Sequence, residues 1–156
     1  MKGDTQVIDA LNEVLASELG AINQYFIHAK MCENWGYKRL AANKMAESIG
    51  EMKHADQVIE RILYLDGTPN MQQMESLRIG NDPVAQHRND LALEVEAVKR
   101  LNTAIGLAAD KADNGSRELL ERILKDEEEG LDHIEGQLHL IEEVGKEAYL
   151  AEQINE

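Results

Sequence analysis

The chain has a single cysteine and two prolines among its 156 residues, and no long apolar run. One cysteine, Cys32, rules out an intramolecular disulfide, and zinc-finger spacing is absent. Both features favour a reducing compartment. No stretch approaches the roughly 18 apolar residues of a membrane-spanning helix, and Met1-Lys2-Gly3-Asp4 lacks the apolar region of a secretion signal. A cytoplasmic protein without a membrane partner is expected. Positive charge is scarce: 16 Lys and Arg stand against 30 Asp and Glu, a formal net charge of -14. Such a surface repels nucleic acid and anionic lipid and attracts cations, metal ions among them.

Helix formers are plentiful, while glycine and proline are sparse and clustered, so the chain reads as all-α. At this length it makes one domain, residues 1–156, with a real core. Apolar residues spaced by threes and fours mark four long helices. The first, about 5–34, follows a cap at Asp4 or Thr5, carries the stripe Leu11, Leu15, Glu18, Ile22 and Tyr25, and stops near Gly36. The second, about 38–65, ends at Asp66-Gly67-Thr68-Pro69. The third, about 83–111, starts at Asp82-Pro83 and carries Leu91, Glu94, Val98, Leu101, Ile105 and Ala108. The fourth, about 116–144 with Ser116 as its expected cap, carries Leu120, Ile123, Glu127, Gly130, Ile134, Leu138 and Ile141. Residues 147–155 make a short fifth helix.

Residues 67–82 have no helical period. At roughly 3.3 Å per residue they can cover about 50 Å, more than the roughly 42 Å of a 28-residue helix. The connection can therefore run the length of a bundle, which is the crossover of a ferritin-like four-helix arrangement rather than an up-down bundle.

Each long helix carries a glutamate in its apolar stripe: Glu18, Glu51, Glu94 and Glu127. The intervals match, 51 − 18 = 33 and 127 − 94 = 33. Glu51 and His54, three residues apart, project from one helix face. Two-metal carboxylate sites in bundles use one Glu from each of two helices and Glu-x-x-His from each of the other two. Here the second helix has Glu51-x-x-His54, and the fourth has Glu127-x-x-Gly130. Four carboxylates brought together would repel unless cations neutralise them. Such ligands suit iron or manganese, and zinc or cobalt would also bind. A second apolar stripe on the second helix, made by Met45, Ile49, Met52, Ile59 and Leu63, suits a partner surface.

Taken with MKGDTQVIDALNEVL, AINQYFIHAKM, NWGYKRL, ESIGEMKHAD, RILYLDGTPN, LRIG, DLALE and DEEEGLDHIEGQL, these features make the chain resemble the bacterioferritins over essentially its whole length. The resemblance implies iron storage in a hollow shell of 24 subunits that oxidises Fe(II) with dioxygen. It implies haem b between two-fold-related subunits, held by Met52 of each, and a ferredoxin-type electron donor. Glu18 and His54 would bind one iron, Glu51 and Glu127 would bridge, and Glu94 would bind the second. Tyr25 would stand near the metals, either as a redox group or as a core tyrosine with a satisfied hydroxyl.

The chain also departs from the family. Gly130 replaces a histidine ligand, and His133, one turn on, is not expected to reach the same metal. Ala46 and Gly50 replace a polar pair on the inner wall, where Asp126 remains, and Met45 replaces a tyrosine beside the haem. The expectation is a ferroxidase with a weakened second iron site, where water or Glu129 would substitute poorly. The alternative is a haem-bearing structural and electron-relay subunit that assembles with a sibling carrying the complete site. A rubrerythrin-like peroxidase is disfavoured by the lack of a cysteine-rich iron domain. A DNA-protecting mini-ferritin is disfavoured by the lack of a basic tail. His28, His87 and His139 are expected at the surface or an interface.

Overall fold

A computed structural model describes residues 1–155. It contains five helices: α1 (Thr5–Asn34), α2 (Lys38–Tyr64), α3 (Pro83–Asp110), α4 (Asn114–Val144) and α5 (Lys146–Ala151). Asp4 starts α1 by accepting hydrogen bonds from the backbone N–H groups of Gln6 and Val7 at 2.8 and 3.3 Å. Asp82 does the same for α3 through the Ala85 N–H, with Pro83 in the first turn. The fourth helix begins two residues before its expected start. Its cap is Asp113, which accepts from the Ser116 N–H at 3.0 Å and from the Ser116 hydroxyl at 2.7 Å, so Ser116 supports the cap from inside the first turn. The fifth helix stops at Ala151, short of the expected 155.

The long helices form two hairpins, α1 with α2 and α3 with α4, packed together through α1 against α3 and α2 against α4. The segment between α2 and α3 lies along α1. Its contacts advance in step: Asn70 N–H to Asn12, Glu75 N–H to the Ala16 carbonyl, Arg78 N–H to Gln24 and Gly80 N–H to His28. It therefore returns the chain to the far end of the bundle before α3 begins. Gly20 makes room for it, because a Cβ there would come within 2.7 Å of the Glu75 Cβ and 3.0 Å of its carbonyl oxygen.

The interior is graded along the bundle axis. At the end holding the N-terminus of α1, the core is apolar, with Val7, Leu11, Leu15, Val58, Ile62, Leu101, Leu120 and Ile123 all buried. Burying each such side chain contributes roughly 1.5–3 kcal/mol. Polar groups begin at Glu18 and continue to His28. On α3 the buried line runs through Gln86, Asp90, Leu93, Glu94 and Ala97, while Leu91, Val98 and Ile105 lie half-buried beside it. The apolar residues alone misplace this helix's inward face, because its inward positions near the start of the helix are polar.

Candidate metal centre

Four helices each deliver one acidic side chain to the middle of the bundle. Glu18, Glu51, Glu94 and Glu127 are all at most 4% exposed. Glu18, Glu51, His54 and Glu127 each place one ligand atom so that all four lie within 4.8 Å of one another. His54 sits among them, with Nδ1 at 3.1 Å from Glu127 Oε1, 3.6 Å from Glu18 Oε2 and 3.7 Å from Glu51 Oε2. Its other nitrogen, Nε2, lies 2.9 Å from Asp126 Oδ2. That contact fixes the ring with Nδ1 facing the cluster. A ring that donates Nε2–H to a carboxylate keeps the Nδ1 lone pair for a metal. Glu94 joins from the α3 side, where the Tyr25 hydroxyl donates to its Oε1 at 2.6 Å.

Without a cation the cluster must hold protons. Burial pushes the Glu18 carboxyl up to about 7, and the charge of Glu127 adds to the effect. Burial and the charge of Glu51 push Glu127 up to about 7 as well. Glu51 and Glu94 lie well above the usual carboxylate range, first through burial and then through their acidic neighbours. Burial alone would lower the His54 pKa, but the surrounding carboxylates of Glu127, Glu18 and Glu51 override it and keep the ring protonated. Tyr25 is raised well above its usual value by burial and by Glu94, so it remains a donor.

Two buried oxygens in the cluster accept no hydrogen bond among the described residues: Glu18 Oε2, with His54 Nδ1 standing off at 3.6 Å, and Glu94 Oε2. Such groups cost roughly 1–3 kcal/mol each, more if charged. Four acids against one imidazole, with two lone carboxylate oxygens, form a donor set suited to divalent cations of the iron or manganese type. The residues therefore fit a metal.

Gly130 leaves space beside this cluster. A cavity of about 410 Å³ opens there, lined in part by Glu47, Gly50, Glu51, His54 and Gly130. His133 is exposed, as are Asp126 and Glu129. Met52 lies on the neighbouring face of α2 and is 57% exposed. Ile49 and Leu63 are exposed with it, Met45 is half-buried, and Ile59 at the edge of the stripe packs against the core, so the exposed part of this face is left uncovered by the described residues.

Two of the histidines expected at the surface or an interface are instead buried inside the chain. His28 is completely buried, with Nδ1 at 2.8 Å from Asp90 Oδ1 and Nε2 accepting from the Gly80 N–H at 3.0 Å. His87 is buried against the Tyr149 hydroxyl at 2.9 Å, and burial pushes its pKa down to about 3. His139 is exposed. His28 belongs to a second buried cluster that sequence reasoning missed. Asp90 is its centre, bonded also by Lys44 Nζ at 2.8 Å and Gln24 Nε2 at 2.9 Å. A signal was present: Asp90 is one turn before Glu94, and His28 is one turn after Tyr25.

The ferritin-like domain family matches residues 8–144 of this chain. A bacterioferritin of Mycobacterium tuberculosis is 48% identical over 155 residues, covering 99% of this chain and 98% of its own length. A bacterioferritin of Streptomyces coelicolor is 44% identical over 156 residues, covering 100% of this chain and 93% of its own length. One of Rhodobacter capsulatus is 42% identical over 149 residues, with 96% and 92% covered.

Proposed function

Because this chain belongs to the ferritin-like family and, within it, to the bacterioferritins, we propose that it stores iron as a subunit of a hollow 24-subunit shell and oxidises Fe(II) at the buried carboxylate cluster. The observation that carries this reading is the convergence of four buried glutamates and one histidine from four helices, with two of their oxygens unpartnered. Fe(II) is the substrate, and two adjacent ions together supply the two electrons that reduce dioxygen to peroxide. Glu18 and His54 hold one ion, Glu51 and Glu127 lie between the two, and Glu94 holds the other. The carboxyls give up their protons as the cations enter. Asp126 keeps the His54 ring turned toward the cluster, and the Tyr25 hydroxyl keeps Glu94 in place.

Met52 is suited to hold haem b at a two-fold axis, because a residue on such an axis meets its own copy and one methionine per chain then provides two ligands. Its exposed thioether, beside the exposed Ile49 and Leu63, fits that role. Haem held by thioethers supplies electron transfer. A ferredoxin-type protein is its proposed donor. No helix among the described residues is long and apolar enough to cross a membrane, which accords with a cytoplasmic shell.

Dioxygen uptake by the purified shell on addition of Fe(II) tests the oxidation. Uptake should exceed that of Fe(II) in buffer and fall to the buffer rate in Glu51→Ala. An absorption spectrum with and without dithionite tests the haem, which should vanish in Met52→Leu. One observation favours a second reading. The opening at Gly130 leaves one side of the cluster without an imidazole, as in a relay subunit that assembles with a complete sibling. Buffer-rate uptake by the intact homopolymer, with haem present, would select it.

A further inference from the structure

The two hairpins repeat with an offset of 76 residues, since 94 − 18 = 76 and 127 − 51 = 76. The same offset relates His54 to Gly130 and Gly50 to Asp126. On one side of the cluster, His54 is oriented by Asp126. On the other, both corresponding positions are glycine, and the cavity described above takes their place. One side chain reaches into that gap. A Cβ added at Gly130 would sit 3.8 Å from Glu47 Oε2 and would meet nothing else within 4 Å, apart from chain neighbours and the helix's own backbone. Glu47 lies one turn before Glu51 on the same face of α2. It is half-buried, and among the described residues neither a hydrogen bond nor an ion pair holds it. Glu94 keeps a buried oxygen that accepts no hydrogen bond among the described residues.

We propose that the Glu47 carboxylate is a ligand for the second metal, in the part that imidazole plays at His54. The inference rests on the metal-centre reading above and adds the residue that completes its open side. Glu129 and His133 also border the cavity, but both are exposed, and His133 does not come within 4 Å of the Gly130 Cβ position. A second position built from oxygen alone binds divalent cations less tightly than one with nitrogen. It remains occupied as long as the carboxylate is there.

Titration of the intact apo-shell with Co(II), followed by visible absorption, tests this without any turnover. The unaltered protein should take up two equivalents per chain, the second more weakly. Glu47→Gln should weaken the second equivalent by at least about ten-fold and leave the first within about two-fold. In a Gly130→His background the same Glu47→Gln change should alter the second equivalent by less than about two-fold, because imidazole then occupies the position. Circular dichroism and sedimentation establish that each variant is folded and assembled. A second equivalent indifferent to Glu47→Gln overturns the inference and leaves the metal centre standing, as does a single equivalent in every chain that has Gly130. No Co(II) absorption band in the unaltered protein overturns the metal centre itself and this ligand with it.

Discussion

Two buried polar clusters sit one helical turn apart in this bundle, and they differ in whether they close. Around Asp90, one acid meets Lys44, His28 and Gln24, and both of its oxygens are bonded. Around His54, four buried glutamates meet one base, and two of their oxygens accept no hydrogen bond among the described residues. The first cluster is a joint. It ties α1, α2 and α3 together and, through Gly80 N–H to His28 and Arg78 N–H to Gln24, docks the end of the crossover. The second cannot balance its own charge, and groups left so in a core need something from outside the chain. Closure separates a structural cluster from a functional one better than burial or charge, which the two share.

Removing an acid from each should change stability in opposite directions. Asp90→Ala leaves Lys44 as a buried, unpaired cation and should destabilise the protein by about 3–5 kcal/mol. Glu18→Gln removes a carboxyl whose pKa is raised from 4.5 to about 7. It should stabilise the apo-protein at neutral pH on the order of 1–3 kcal/mol, since each tenfold change in proton affinity corresponds to about 1.4 kcal/mol. The same substitution should weaken the first Co(II) equivalent. Denaturant unfolding of the apo-protein measures both. Equal signs for the two substitutions would show that the open cluster is as structural as the closed one.

The sequence made one cluster legible and concealed the other. Glu18, Glu51, Glu94 and Glu127 stand out because each interrupts an apolar stripe at a repeated interval. The crossover was legible from its length alone. Asp90, Lys44, Gln24 and His28 share no repeated interval; only the one-turn spacings of Asp90 to Glu94 and of His28 to Tyr25 mark them. Their burial comes from mutual hydrogen bonding across three helices, which periodicity within one helix cannot report. Glu47 was concealed for a different reason. Its role depends on the side chain missing at Gly130 in another helix; the missing side chain is visible in the sequence, but which residue faces the gap is set by the packing of α2 against α4.

Acidity should also distinguish the clusters. Glu18 and Glu127 bind protons more tightly in the folded chain, at about 7, than at their usual 4.5. Their contribution to apo stability is fully present below about pH 4.5 and is lost as the pH rises through 7. His54, also raised, acts in the same direction, and its contribution is fully present below 6.5. Asp90 is the reverse. Burial would raise its pKa, but His28 and Lys44 hold it below 3.8, so its contribution is present above that value and lost only in stronger acid. The melting temperature of the apo-shell should therefore fall between pH 6 and pH 8, and saturating Co(II) should abolish the fall by taking the protons' place. A fall that persists in the loaded protein would assign the titration to groups outside the cluster.

The smallest expected effect concerns the open side itself. Gly50 and Gly130 lie inside helices, where glycine costs about 1 kcal/mol relative to alanine. Space does not require either one. A Cβ at Gly50 meets nothing within 4 Å, and one at Gly130 makes only ordinary contact with Glu47 at 3.8 Å. Gly50→Ala and Gly130→Ala should each stabilise the apo-protein by about 1 kcal/mol. Gly20→Ala, by contrast, should destabilise it, because its Cβ would drive into the crossover backbone at Glu75. Thermal melts of the three variants make the comparison. If Gly130→Ala stabilises the chain while it weakens the second Co(II) equivalent by crowding Glu47, the two glycines give up helix stability for open volume beside the cluster, and their place in the chain is explained by the metal rather than by the fold.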